Sequence, residues 1–283
     1  MAKNNQSQRL SKQHKESLGV ANIFTDEARL HDMGVSSISK LVMQKLEDKF
    51  KSLSFRHRAS ITKEEINSVL QGLDDELGRT LFIQSSKIKP DGGIIEVKDD
   101  GNWRVILITE AKYQGKDIEN IQKGILVGKY SNQDLMQAGN AIERAYKNIA
   151  EMANFMLKEL HFPYILFLEG SNFLTQTISV KRPDGRVVTL EYNSGVLNRL
   201  DKLTAANYGM PINQNLCQNK FVQYRDRIIM LQAISIYTQG DGQKWNLNKM
   251  FEIMLEVART SLKVLGSSLF NQIIGKNNVK KSD

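Results

Sequence analysis

Val105-Ile106-Leu107-Ile108-Thr109-Glu110-Ala111-Lys112 is an apolar run that ends in charge, and its reading decides the fold. Four successive aliphatic residues with no helical spacing read as a buried strand. Side chains two apart on a strand share a face, so Glu110 and Lys112 should emerge side by side while Ala111 points back to the core. Upstream, Gly93-Ile94-Ile95-Glu96-Val97 reads as a partner strand, joined by a hairpin around Asp99-Asp100-Gly101-Asn102. Asp91, in Pro90-Asp91-Gly92-Gly93 at the head of that partner, would meet Glu110 and Lys112 through the hairpin. The other acids of the segment are expected at an exposed strand position (Glu96) and in the turn (Asp99, Asp100).

Working outward, Leu81-Phe82-Ile83 and Tyr164-Ile165-Leu166-Phe167-Leu168 read as further strands, and apolar residues at helical spacing predict a long helix from Gln133 to Leu160. Antiparallel strands, then a helix, then another strand predict an α/β fold with a mixed β-sheet flanked by helices. Thr25 to Phe50 predicts helical segments broken near Gly34, and Thr62-Lys63-Glu64-Glu65 a capped helix start. Val187 to Tyr192 after the Arg182-Pro183-Asp184-Gly185 turn suggests a hairpin arm able to embrace a ligand. Ile228 to Tyr237 reads as one strand, Gly240-Asp241-Gly242 as a turn, and Lys249 to Ile274 as a helix. No repeat or linker interrupts this pattern, so one domain over residues 18–283 is expected, preceded by a mobile basic arm over residues 1–17.

Composition narrows the function classes. The 283 residues are 41% hydrophobic, enough for a substantial core. Thirty-nine Lys+Arg against 31 Asp+Glu give a formal charge of +8, which favours a polyanionic partner, although a basic solvated surface gives the same balance. The single cysteine, Cys217, excludes an intrachain disulfide and a multi-cysteine zinc site. Met1 to Ser17 has no apolar signal core, and no segment approaches ~18 consecutive apolar residues, so a cytoplasmic protein with no membrane partner is expected.

Two carboxylates and a lysine on one rigid sheet suit a Mg²⁺ ion held against a phosphodiester. Asp91 and Glu110 are hard oxygen ligands, and the peptide carbonyl of Ala111 can add a third. Lys112 would serve electrostatically, because acting as a base requires its pKa to fall from ~10.4, which two carboxylates oppose. A solvated strand face yields the same three-residue pattern, and its place at the end of an apolar strand is what favours chemistry. In Lys112-Tyr113-Gln114-Gly115-Lys116, two lysines beside an aromatic residue can contact phosphates, or form a charged loop. Asn140 and Arg144, four apart on one helical face, can read purines in a major groove, or be a helix cap and a surface charge. Arg199 and Lys202 are three apart on a short helix and form at least a basic face. His14, His31, His57 and His161 have no metal-ligand spacing and are expected on the surface or in packing.

Carried on Lys87 to Gly93, Glu110-Ala111-Lys112, Gln133 to Met136, Ala138 to Arg144, Phe167 to Leu174 and Leu203 to Asn213, the chain resembles the EcoRI family of type II restriction endonucleases, within the PD-(D/E)xK nuclease superfamily. That resemblance spans nearly the whole chain. It implies a restriction-endonuclease-like core with DNA-embracing arms, in a bacterial, Mg²⁺-dependent homodimer that cuts double-stranded DNA at GAATTC after the G, leaving 5′ overhangs. An isoschizomer role in host restriction, with a cognate DNA methyltransferase encoded alongside, follows from it. Asp91, Glu110 and Lys112 match the family's catalytic positions, with Asp91 and Glu110 on the metal. Met136, Gly139, Asn140, Ala141 and Arg144 match its base-reading segment, Lys89, Lys116 and Lys147 are phosphate-contact positions, and Arg199 faces DNA. Lys202 stands where the family carries arginine, Gln137 replaces a small residue, and Tyr113 replaces histidine, which bears on flanking-sequence preference. Two other functions fit the charge and the residues: a structure-selective repair nuclease, and a catalytically silent DNA-binding protein, against which the intact Asp91, Glu110 and Lys112 set argues.

Overall fold

In chain order the elements are α1 (Asp26–Lys49), β1 (Phe55–Arg58), β2 (Ile61–Thr62), α2 (Lys63–Gln71), β3 (Lys87–Ile88), β4 (Gly93–Asp99), β5 (Asn102–Tyr113), α3 (Asp117–Gln122), α4 (Asn140–Phe155), β6 (Tyr164–Glu169), β7 (Ile178–Lys181), β8 (Val187–Leu190), β9 (Asn219–Tyr224), β10 (Arg227–Gln232), β11 (Ser235–Thr238) and α5 (Leu247–Val264). They come from a computed structural model that describes residues 26–78, 86–125, 140–159, 161–191, 219–224, 227–232 and 235–265. The expected arm over residues 1–17, the strand at Leu81 to Ile83, Cys217, and the site positions Met136, Gly139, Arg199 and Lys202 lie outside the described residues.

The apolar run is the middle strand of a five-stranded sheet in the order β1-β4-β5-β6-β11. β1, β4 and β5 are antiparallel, and β6 and β11 run parallel to β5, so the sheet is mixed as expected. The β4–β5 hairpin turns at Asp100 and Gly101, both with positive φ, 45° and 83°. Alternation along the strands sorts the core into two layers. Ile95, Leu107, Ala111, Ile165 and Phe167 pack under α1 and α5, against Val35, Ile38, Val42, Leu46, Met250 and Met254. Ile94, Ile108, Leu166 and Leu168 pack on the opposite face with Ile66 of α2 and Ala145, Ile149 and Met152 of α4.

One residue breaks the alternation. Ile95 pairs with Leu107 but Glu96 pairs with Val105, leaving Ile106 as the extra residue of a bulge. Val105 therefore belongs to the α4 layer and Ile106 to the α1 layer, the reverse of an unbulged strand.

Several expectations need correction. α1 runs unbroken through Gly34, where a side-chain Cβ would meet nothing nearer than Leu247 Cδ2 at 3.7 Å. A mid-helix glycine costs only ~1 kcal/mol, which the burial of Val35, Ile38, Val42 and Leu46 outweighs. α4 ends at Phe155 rather than Leu160, since Leu157 and Glu159 donate to carbonyls three residues back, ahead of Pro163. Ile228 to Tyr237 is two strands: β10 pairs with β9, while β11 joins the central sheet beside β6. The run, apolar apart from Gln232 and Ser235, holds no Gly, Pro, Asn or Asp to announce that split; tertiary pairing decides it. α5 starts at Leu247, because the Asn246 side chain accepts from the Asn248 and Lys249 amides. Glu96 is buried, not exposed, and ion-paired to Arg56; Asp99, at the hairpin turn as expected, is buried too and pairs with Arg104.

The capping box at Thr62 and Glu65 forms, and the β7–β8 hairpin closes where expected. Among the described residues no helix is long and apolar enough to cross a membrane.

Candidate active site

Pro90, Asp91, Gly92 and Gly93 form a tight turn, closed by the Gly93 amide donating to the Pro90 carbonyl at 3.0 Å. The turn is seated on the sheet, since the Gly92 amide donates to the Thr109 carbonyl at 2.9 Å. Glycine is required at both positions. A Cβ on Gly92 would lie 2.7 Å from the Thr109 Cβ, and Gly93 has φ of 78° with His57 Nε2 pressed 2.6 Å from a Cβ position. His57, on β1, also bonds the Gly92 carbonyl at 3.0 Å. β1 thus braces the turn that carries Asp91.

The β4–β5 pairing stops where β4 begins, at Gly93 opposite Thr109, and β5 continues past it. The Asp91 side chain takes the vacated place: its Oδ2 accepts from the Ala111 amide at 3.3 Å, and the Asp91 amide donates to Glu110 Oε2 at 3.2 Å. Amide and carbonyl of one strand residue point to the same side, so the Ala111 carbonyl opens beside Asp91. The Ala111 methyl is buried in the α1 and α5 layer, and Glu110 and Lys112 face α4. Lys112 Nζ lies 2.6 Å from Asp91 Oδ2 and 2.5 Å from Glu110 Oε1, bridging both carboxylates. From α4, Asn148 Nδ2 donates to Glu110 Oε1 at 3.0 Å.

The Glu110 side chain is fully buried, whereas Asp91 and Lys112 remain about one-fifth exposed. Burial, partly offset by the Lys112 charge and reinforced by that of Asp91, pushes the Glu110 carboxyl up to about 7. Burial works against the Lys112 ammonium, but Glu110 and Asp91 outweigh it and raise its pKa above the ordinary lysine value. Lys112 is therefore charged at neutral pH. Behind Glu110, the buried Tyr164 hydroxyl makes no hydrogen bond within normal limits, although it lies near enough to interact with the carboxylate. Burial, then the charges of Glu110 and Asp91, drive that phenol well above its ordinary value.

Two carboxylates against one ammonium leave an excess of negative charge in a largely enclosed place. The family model described as "Restriction endonuclease EcoRI" matches residues 17–272 of this chain. The chain belongs to the EcoRI restriction endonuclease family. It is 64% identical over 277 residues to the Type II restriction enzyme EcoRI of Escherichia coli, covering 98% of this chain and all of that protein. It is 46% identical over 265 residues to the Type II restriction enzyme RsrI of Cereibacter sphaeroides, covering 93% of this chain and 95% of that one.

Several of the basic positions singled out in the sequence of this EcoRI-family chain lie on the segments that flank Asp91 and Lys112 or on α4, which supplies Asn148. Lys89 is exposed on the run into the turn, two residues before Asp91. Lys116 is partly buried in the loop between β5 and α3. Arg144 and Lys147 are exposed on α4, whose first residues are Asn140 and Ala141. Asn148, Tyr164 and His57 were not singled out as site residues. Asn148 had a readable signal, since it follows Arg144 by four residues and Asn140 by eight on one helical face. Tyr164 and His57 had none, because strand pairing alone brings them to Glu110 and Gly92.

Proposed function

We propose that this restriction endonuclease is a Mg²⁺-dependent homodimer that hydrolyses both strands of GAATTC after the G, leaving 5′ overhangs, with Asp91, Glu110 and Lys112 as its catalytic residues. The observation that carries the reading is the convergence of these three side chains where the β4–β5 pairing stops and β5 continues. The donor set fits a hard divalent cation: two carboxylates already gathered around one positive charge, the Lys112 ammonium, with the Ala111 carbonyl on the Asp91 side of the strand. Among the described residues no three His, Cys, Asp or Glu side chains cluster as a metal site, so water and phosphate oxygens would complete the shell.

Asp91 and Glu110 would hold the ion, which when bound supplies charge neutralisation and a water of lowered pKa. Lys112, held as an ammonium, orients and stabilises the anionic nucleophile and the phosphate, and does not take the proton. Asn148 fixes one oxygen of Glu110, and the Asp91 amide fixes the other. Met136, Gly139, Asn140, Ala141 and Arg144 read bases; Lys89, Lys116 and Lys147 contact phosphates; Arg199 and Lys202 face the duplex. The net charge of +8 supports a DNA partner. A two-fold dimer presents one reading surface to each half of a palindrome, so each subunit, a single domain over residues 18–283 with a basic arm before it, reads three base pairs.

The test is to incubate the full-length protein with Mg²⁺ and a plasmid carrying one GAATTC, then sequence the product ends. A single linear product with ends opened between G and A is expected. Intact plasmid overturns the reading, and preferred cutting of branched DNA replaces it with the repair-nuclease reading.

A further inference from the structure

Resting on that function, we propose that Asn148 is a positioning residue that couples sequence reading by α4 to the catalytic carboxylate of Glu110. The Glu110 carboxylate receives three donors from three elements. Lys112 comes from its own strand, the Asp91 amide from the turn, and the Asn148 amide from α4. A carboxylate only accepts, so Asn148 must present its NH₂ group, and the contact has a fixed sense. It is the contact that arrives from the reading helix.

Asn140, Arg144 and Asn148 recur every four residues and lie along one side of α4. At 1.5 Å per residue, Arg144 is only ~6 Å up the axis from Asn148. The helix between them is unbroken, so the two residues sit on one rigid element. Ala145 and Met152 are buried against the sheet, 1% and 0% exposed, and Glu151 pairs with Lys63 of α2. Glu110, for its part, is fixed to the central strand, which pairs with β4 up to Thr109 and with β6 through Glu110 itself. A displacement of α4 as its residues engage or miss a base therefore reaches the Glu110 carboxylate through one hydrogen bond. A correct site sets Oε1 in place, and an incorrect one leaves the carboxylate mis-set although the DNA is bound.

Asn148→Ala removes the donor, and Asn148→Leu removes it while keeping the volume. Both are compared with wild type in single-turnover cleavage at saturating enzyme and Mg²⁺, on a GAATTC duplex and on one with a single changed base, with metal-free binding measured for each. The expected result is a cleavage rate on GAATTC reduced ~10- to 100-fold, the size of effect outer-shell partners of metal ligands have. The rate on the altered duplex should fall less than about threefold, so that discrimination in rate narrows while the ratio of binding constants and the melting temperature hold. An equal fall on both duplexes makes Asn148 a general prop for Glu110 and overturns the coupling. So does an unchanged rate on GAATTC, or a loss confined to binding. A wild type that cuts another sequence refutes the GAATTC assignment alone, and the same narrowing is then required between that sequence and its own one-base neighbours. A wild type that cuts no DNA overturns both.

Discussion

Glu96 and Glu110 are both acids of the β4–β5 hairpin, 1% and 0% exposed, and they differ in how their charge is met. Glu96 lies between two arginines: Arg56 Nε at 2.5 Å and Arg58 Nη1 at 3.4 Å. Arg58 also pairs with Glu65, and Arg56 stacks over the Trp103 ring, so two cations answer two anions. Glu110 shares a single ammonium with Asp91. Burial is common to both places; the charge deficit is found in one. A neutral cluster holds strands together, whereas an enclosed surplus of negative charge is an unmet demand for a cation.

The largest expected effect separates the two acids by function. Glu110→Gln should lower cleavage of GAATTC by ~10³-fold or more, because under the proposed function it removes a ligand charge from the metal. DNA binding should be kept or tightened as repulsion toward phosphate is lost. Glu96→Gln should leave the single-turnover rate within about threefold of wild type, since it touches no reacting group. A wild-type rate for Glu110→Gln would break the comparison outright.

Stability should show the reverse order. Glu96→Gln leaves Arg56 and Arg58 half-buried without a full counter-charge, and should cost about 1–3 kcal/mol in chemical denaturation, discounted for the exposure of the two guanidinium groups. A cost below that of an ordinary surface substitution would show that the cluster is not a structural clamp.

The pH dependence of stability sharpens the contrast. The folded pKa of Glu110, about 7, lies above its ordinary value of 4.5, so the fold prefers the neutral acid. The stability this contributes is fully present below about 4.5 and is lost as pH rises through about 7. Metal-free wild type should therefore lose stability over that window relative to Glu110→Gln, and Mg²⁺ at pH 8 should restore it in the wild type alone. Denaturant midpoints from pH 4.5 to 8, with chelator and with Mg²⁺, provide the measurement. The exposed pair Lys51 and Asp48, whose side chains are 76% and 72% exposed, sets the floor. Asp48→Asn should change stability by less than ~0.5 kcal/mol at any salt concentration.

Much of this was legible from the chain. Strand alternation placed Glu110 and Lys112 on one face with Ala111 opposite, and the Gly-containing turns located the hairpin, because both are local rules of backbone geometry. The Thr62 cap was legible for the same reason. What escaped was set by tertiary contacts. Glu96 looked like a solvent position because the arginines that bury it sit 40 and 38 residues away on β1. Gly34 looked like a break because helix propensity does not register the packing of α1 against α5. Asn148 stood on a face already marked by Asn140 and Arg144, but its acceptor lies 38 residues upstream on another element. The split between β10 and β11 followed the partner strands, with no turn residue to mark it.

The extra residue Ile106 has a further consequence, for how this segment can vary in length. From Leu107 onward the strand is counted from the bulge, and Glu110 and Lys112 reach the α4 side because three residues separate Leu107 from Lys112's neighbour Ala111. Deleting one residue between Leu107 and Glu110 would turn both charged side chains under α1 and α5 and send the Ala111 methyl to the cleft. Side chains along this stretch can be exchanged one for another, but insertions and deletions should be purged from it. Among diverging copies of this chain, a frame of constant length from Leu107 to Lys112 should outlast the identities of the aliphatic residues inside it.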